Sequence, residues 1–397
     1  MRTFLFSVGI IILIGAEILR VYFIMPFPGS QHDETINVAY FLHTNINIIR
    51  VIGLVLIAFP VVSYFRSGSP TSKIIVTLSV VVYLVVFYFF NFRFLADKMF
   101  YQPGIKVFTK ANANKIPTTN LVIGVSVNGA SKAYPIEIIG YHHQVRDTVG
   151  NTPVMVTYCT VCRTGRVFSP LVEGKAETFR LVGMDHFNAM FEDTATKSWW
   201  RQVTGEAIAG PMKGKQLQEI AAEQMRLDAW ITLHPDTEIM QPDTTFNKQY
   251  EGMKNYDEGR SKGDLTRADS LSWKDKSWVV GVQTGMDARA YDWNELEQVK
   301  VIQDTLGGIP LLVTLASDSA SFHVFKRDTL SFTFDPATYI LRDAQTQSTW
   351  NIQGRCTEGK LQGTQLPVVQ SYQEFWHSWR TFRPQTTAYH YAREDEK

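Results

Sequence analysis

Two cysteines three positions apart, in Tyr158-Cys159-Thr160-Val161-Cys162, are the residues of this chain best suited to chemistry. A Cys-x-x-Cys serves as half of a metal knuckle, as a dithiol that cycles with its disulfide, or as a structural clip. Imidazoles stand ready to complete a metal site: His142 and His143 lie upstream, and His186 lies downstream in Gly-Met-Asp-His-Phe. Two soft thiolates with borderline imidazoles would suit zinc or copper, Cu(I) being favoured by thiolate softness. Adjacent His142 and His143 on one regular element cannot both point to one site, so one is expected to meet solvent or packing. The cysteine pair is entered from an apolar strand at 154–158 and left through Arg163-Thr164-Gly165 into another at 166–168. Thioredoxin-type chemistry instead wants its first Cys at a helix amino terminus, where the dipole stabilises the thiolate. The strand–turn–strand setting therefore points to a metal knuckle, with the redox dithiol and the clip as alternatives. In each case Arg163 and Arg166 are expected to lower the thiol pKa.

The elements that must position these residues come in two copies. Residues 121–170 align without a gap on 278–327 at an offset of 157, and thirteen of the 50 pairs are identical. Asp193-x-x-Thr196-x-Ser198-x-Trp200 recurs as Asp343-x-x-Thr346-x-Ser348-x-Trp350, and Trp230-x-Thr232-x-x-Pro235-x-Thr237 as Trp379-x-Thr381-x-x-Pro384-x-Thr386. Two tandem related units are thus expected, at about 115–241 and 278–390, joined by a polar linker or long loop at 242–277. Short β-branched and aromatic runs between Gly, Pro, Asn and Asp turns make each unit α+β and mainly strand. Helical pieces are expected at 135–144 and 216–230.

Duplication supplies an internal control, because residues kept in both copies are those the fold needs. Matched glycines and the tryptophan pairs are structural in type. Asp193 recurs as Asp343, so the Glu192-Asp193 pair reads as structural rather than as an acid–base couple. Chemical residues differ: the second copy has Leu315-Ala316-Ser317-Asp318-Ser319 in place of the Tyr-Cys-x-x-Cys run, and Val299-Lys300 in place of His142-His143. His186 has no match there either. Cys356, alone in the second copy, reads as a buried free thiol.

A net charge of +1 gives no support to nucleic-acid binding through a basic surface. The charge is unevenly spread, with only eleven charged residues in the first hundred. Three apolar stretches there, about 4–23, 46–65 and 74–92, approach the roughly 20 residues needed to cross a bilayer, making residues 1–98 a transmembrane anchor. A lone Arg2 and no small-x-small cleavage site argue against a signal peptide in the first. Glu17 and Arg20, three apart on one helical face, can pair there. The basic loop 66–73 and the acidic loop around Asp33 and Glu34 place the amino terminus in the cytoplasm and everything after about residue 94 outside the cytoplasmic membrane.

The runs AYPIEIIGYHHQVRDTVGNTPVMVTYCTVCRTGRVFSP and FEDTATKSWWRQVTGEAIAGPMKGKQL resemble the bacterial and archaeal family catalogued as domain of unknown function 3179. The likeness spans about 115–390 and leaves the helical front end outside. It implies an exported or membrane-anchored protein, assigns no activity, and carries over His142, Tyr158, Cys159, Cys162, Asp193, Trp200 and Gln202 with roles unassigned. Members of the family commonly have Pro, Gly and Glu where this chain has Thr160, Arg163 and His143.

The sequence therefore reads as a membrane-anchored extracytoplasmic protein that binds copper or zinc through Cys159, Cys162 and one or more of His142, His143 and His186. The alternatives are a thiol–disulfide oxidoreductase and a non-enzymatic subunit docking onto a membrane complex; the lipid bilayer is the expected partner in all three. Alkaline phosphatase fused after residue 110 should be active; a fusion there active only as a cytoplasmic reporter would reverse the orientation.

Overall fold

A computed structural model describes residues 1–31, 34–257 and 272–391, which fall into two compact units. The first comprises residues 1–101 and 177–216, the second 102–176 and 217–397. Among the described residues, three helices are long and apolar enough to cross a membrane: α1 (Arg2–Tyr22), α2 (Ile36–Ser67) and α3 (Pro70–Phe92).

In the first unit, α1 and α2 approach closely because glycine faces each of them. A Cβ on Gly9 would lie 2.5 Å from Ile57, and one on Gly53 2.6 Å from Leu13. Ser69 caps α3 by accepting from the Ser72 amide, and Pro70 occupies the first turn. Glu17 pairs with Arg20 at 3.3 Å, as their spacing allows, and also accepts from Arg50 Nε at 2.6 Å and Asn91 Nδ2 at 2.9 Å. All three helices are thereby tied at one level. Helix α2 begins ten residues before the apolar run expected at 46, because its first turns have their own protein partners. Tyr40 and His43 set their rings edge-on to Trp199, with centroids 5.1 and 5.4 Å away. Trp199 belongs to a four-stranded meander of Phe179–Asp185, Asn188–Asp193, Trp199–Arg201 and Ala207–Ala209.

The second unit is mostly strand, in several sheets, as the short β-branched and aromatic runs between turns predict. Its first sheet runs in the order Val107–Lys110, Glu238–Gln241, Ala130–Pro135, Leu121–Val127, Glu223–Arg226. Helix Ile136–His142 then leads into the antiparallel sheet Gln144–Val149, Thr152–Cys159, Thr164–Phe168. Later in the chain, Ser371–Phe375, Trp278–Thr284, Asp287–Asp292 and Thr387–Ala388 form one sheet, and Val301–Leu306, Ile309–Leu315 and Phe322–Lys326 another. A four-stranded meander, Phe332–Asp335 to Cys356–Glu358, completes the unit.

The helix expected over 216–230 is shorter and later, Leu227–Leu233. Residues Glu223–Arg226 are instead extended, because they find an edge to pair with: Gln224 lies opposite Ile123 and Arg226 opposite Leu121. Of the expected linker, Asn247–Asp257 is helical, and its Tyr250, with Phe246 just before the helix, packs on His142. Residues 258–271 lie outside the described residues.

Two tryptophans seal the sheets through glycine. The Trp230 indole covers Gly124, where a Cβ would lie 2.3 Å from the ring, and Trp379 covers Gly281, where the distance would be 2.2 Å. Each indole N–H is held by a threonine hydroxyl, Thr237 at 2.9 Å and Thr386 at 2.7 Å. Both rings are therefore fixed in place, and overpacking has nowhere to relax. Gly124→Ala and Gly281→Ala should each lower stability by about 1–3 kcal/mol in urea unfolding of the solubilised chain. A change within a few tenths of a kcal/mol would show that the indoles are free to shift.

Candidate functional site

The thiol loop closes the hairpin between Thr152–Cys159 and Thr164–Phe168, in which Cys159 is paired with Thr164. Arg163 turns the chain with φ at 56°, a left-handed conformation that glycine adopts most easily. Both cysteines are wholly buried free thiols. The Cys162 side chain hydrogen bonds to those of Cys159 and Ser378. Burial, then the neighbouring Cys159, pushes the Cys162 thiol well above its ordinary range.

The expectation that Arg163 and Arg166 would lower the thiol pKa is thus not met at Cys162, because both guanidinium groups are engaged elsewhere. Arg163 Nε donates to Gln373 Oε1 at 3.1 Å and its guanidinium lies 3.9 Å above the Trp278 ring. Arg166 donates to Glu374 Oε1 at 2.5 Å and lies 3.4 Å above Tyr372. Nearly every partner comes from one strand-to-helix junction, Ser371–Phe375 running into Trp376–Phe382. Ser378 Oγ donates to the other oxygen of Glu374 at 2.9 Å, and the Phe375 amide donates to the Cys162 carbonyl at 3.0 Å. His377 hydrogen bonds to the backbone of Val161, between the two cysteines, and burial lowers its pKa to about 4.

Sequence reasoning missed Glu374, His377 and Ser378, since it compared the two matched segments in one direction only. Extending the Trp230/Trp379 match backward sets Glu374 against Met225, His377 against Asp228 and Ser378 against Ala229. Chemical side chains thus also distinguish the later of the two matched segments, and they meet the cysteines of the earlier one.

The expected zinc or copper centre has no support among the described residues, where no three of His, Cys, Asp and Glu form a group able to hold a metal ion. Each histidine has another engagement. His142 shares a 2.7 Å hydrogen bond through Nε2 with the Tyr250 hydroxyl, inside a cage of Tyr141, Phe246 and Tyr250. His143 is buried as well, because the left-handed backbone at this residue, φ 60°, breaks the helix and redirects its side chain. Both imidazoles meet packing rather than solvent. His143 Nδ1 lies 3.2 Å from the Tyr141 carbonyl, and its own carbonyl accepts from the Tyr158 amide at 3.0 Å. Burial lowers the His143 pKa to about 4. Tyr158 is buried on the hairpin beside the thiols.

His186, Asp193, Trp200 and Gln202 belong to the first compact unit. His186 Nδ1 lies 2.6 Å from Asp185 Oδ1, a hydrogen bond that raises its pKa, and Arg201 holds the other Asp185 oxygen. Asp193 is a loop organiser, accepting from the Thr196 and Ser198 amides, the Thr196 hydroxyl and the Trp200 indole. Asp343 does the same with Thr346, Ser348 and Trp350, which favours the structural reading of both. Gln202 accepts from Asn188 at 2.9 Å. Cys356 is a buried thiol, as expected, and donates to the Glu358 carbonyl.

A family model described as protein of unknown function (DUF3179) matches residues 102–386. No curated protein and no solved structure matches the chain.

His143 and His377 are buried as neutral imidazoles, whereas in the unfolded chain they protonate near pH 6.5. Unfolding below that pH therefore takes up protons, so stability is full above about 6.5 and falls as pH drops toward 4. Each residue accounts for a loss on the order of 3 kcal/mol by pH 4. Urea unfolding across this range should show the decline, and His143→Gln should remove one proton from its slope; an unchanged slope would mean that His143 folds protonated.

Proposed function

The chain belongs to the family of proteins of unknown function DUF3179, and on that premise we propose that it is a membrane-anchored redox protein whose Cys159 and Cys162 cycle between dithiol and disulfide. The observation that carries this reading is the direct hydrogen bond between the two thiol side chains. Forming the disulfide takes two electrons and two protons from the pair and requires no new ligand. Burial of both sulfurs and the raised Cys162 pKa separate this centre from a thioredoxin-type exchange site, whose attacking thiol is exposed and partly ionised. A centre of this kind meets small oxidants rather than protein disulfides.

Two further readings accompany it. The soluble body is placed on the extracytoplasmic side, supported by the basic residues Arg66 and Lys73 in the loop between α2 and α3. Residues 115–241 and 278–390 are read as two copies of one unit. Supporting this are the ungapped match, the like order of strands and helices along both segments, and the two indoles seated over Gly124 and Gly281.

Full-length protein purified in detergent without an affinity metal should contain no stoichiometric zinc or copper. Denatured after reduction it should show its three thiols, and after oxidation one, with loss of the mass of two hydrogens from the peptide holding Cys159 and Cys162. Three titratable thiols after oxidation, or a retained metal that blocks both cysteines, would overturn the proposal.

A further inference from the structure

We infer that Ser378 and Glu374, from the far end of the chain, form the proton path of the thiol pair, and that its oxidant is a peroxide. This inference rests on the redox reading above. The path is continuous: the Cys162 thiol hydrogen bonds to Ser378, and Ser378 Oγ donates to Glu374 Oε2 at 2.9 Å. Cys162, Ser378 and Glu374 are all fully buried.

Electrostatics explains why a closed chamber needs such a path. A thiolate created alone in this interior would carry the full cost of a desolvated charge. Passing its proton to Glu374 moves one negative charge a short way and leaves the total unchanged. Arg166, at 2.5 Å from Glu374 Oε1, and Arg383, at 3.9 Å, remain as the positive counterweight throughout. The matching positions near Trp230, Ala229 and Met225, carry no group able to take or pass a proton.

Both sulfurs are wholly buried, so the oxidant has to be a small molecule rather than an organic or protein disulfide, and hydrogen peroxide is the smallest of its class.

The chemistry then balances. The Cys162 proton passes to Ser378 Oγ as the Ser378 proton passes to Glu374. The thiolate attacks one peroxide oxygen, the O–O bond breaks, and the departing hydroxide takes the proton from Glu374, giving water and a Cys162 sulfenic acid. Cys159 sulfur attacks Cys162 sulfur, the S–O bond breaks, and the hydroxide leaves as water with the Cys159 proton. Two thiols and one hydrogen peroxide become one disulfide and two waters, the two electrons passing from sulfur to oxygen, with Glu374 again a carboxylate.

The test uses the reduced full-length chain in detergent, mixed with hydrogen peroxide, quenched by alkylation and followed by mass spectrometry. Ser378→Ala should slow disulfide formation on the order of 100-fold, the usual worth of a positioned proton acceptor, while the chain stays folded by circular dichroism. Ser378→Thr, which keeps the hydroxyl, should restore most of the rate. Glu374→Gln should slow it as Ser378→Ala does. Should that variant fail to fold because Arg166 loses its partner, the two Ser378 variants still decide. Oxidation of Ser378→Ala at the native rate would overturn the relay, and oxidation of the native chain by diamide but not by peroxide would overturn the choice of oxidant. A native chain that forms no disulfide with either reagent would instead bring down the redox reading itself.

Discussion

The soluble body depends on one buried carboxylate. Glu374 is fully buried, and so is the Arg166 guanidinium that meets it. Taking both charges out of water costs several kcal/mol each, recovered only when pairing and hydrogen bonding are complete. Completion here needs Arg166 stacked on Tyr372, Tyr372 held by Glu219 at 2.7 Å, and Ser378 donating to the second carboxylate oxygen. The hairpin that carries the cysteines and the junction that carries Glu374 lie some 200 residues apart in sequence. They cannot separate without leaving an unpaired charge in the interior. The position of the thiol loop is thus set by electrostatics as much as by apolar packing.

The helical front end, whose helices are long and apolar enough to cross a membrane, meets the same problem. Glu17 would be costly in a hydrocarbon interior, and it is accommodated because Arg20, Arg50 and Asn91 converge on it from all three helices. The Asn91 side chain completes the network by accepting from both arginines, at 2.8 and 2.7 Å. Between apolar helices there is little hydrophobic gain, so close glycine contacts and polar ties of this sort determine which helix faces meet. Gly9 and Gly53 supply the first and Glu17 the second.

Local chemistry is shared across the soluble body even where the surroundings differ. Asp193 and Asp343 organise the same loop with the same set of donors, yet residues 177–216 group with the helices while Phe332–Glu358 stays with the second unit. The thiol site draws on both of the matched segments, cysteines from the first and Glu374, His377 and Ser378 from the second.

Much of this was legible along the chain because its causes are local. Apolar runs of about twenty residues specify α1 and α3 through composition alone, and Ile136–His142 follows from a proline-led turn and an apolar run. Short β-branched and aromatic runs between turns mark the strands, and the Glu17–Arg20 spacing anticipates the pairing of those two residues. What failed depended on partners remote in sequence. Glu223–Arg226 is a strand only because Leu121–Gly124 offers an edge, and the early start of α2 follows from Trp199. His142 is occupied by Tyr250 from a stretch that reads as linker. The thiol pair itself is visible as a motif, but its chemistry is not: the spacing of two cysteines carries no information about burial. Only the tertiary structure decides that Arg163 and Arg166 turn to Gln373 and Glu374, that the Cys162 thiol is pushed up rather than down, and that a serine and a glutamate from the other end of the chain stand beside it. Desolvation and long-range pairing are properties of the assembled interior, and no window of sequence contains them.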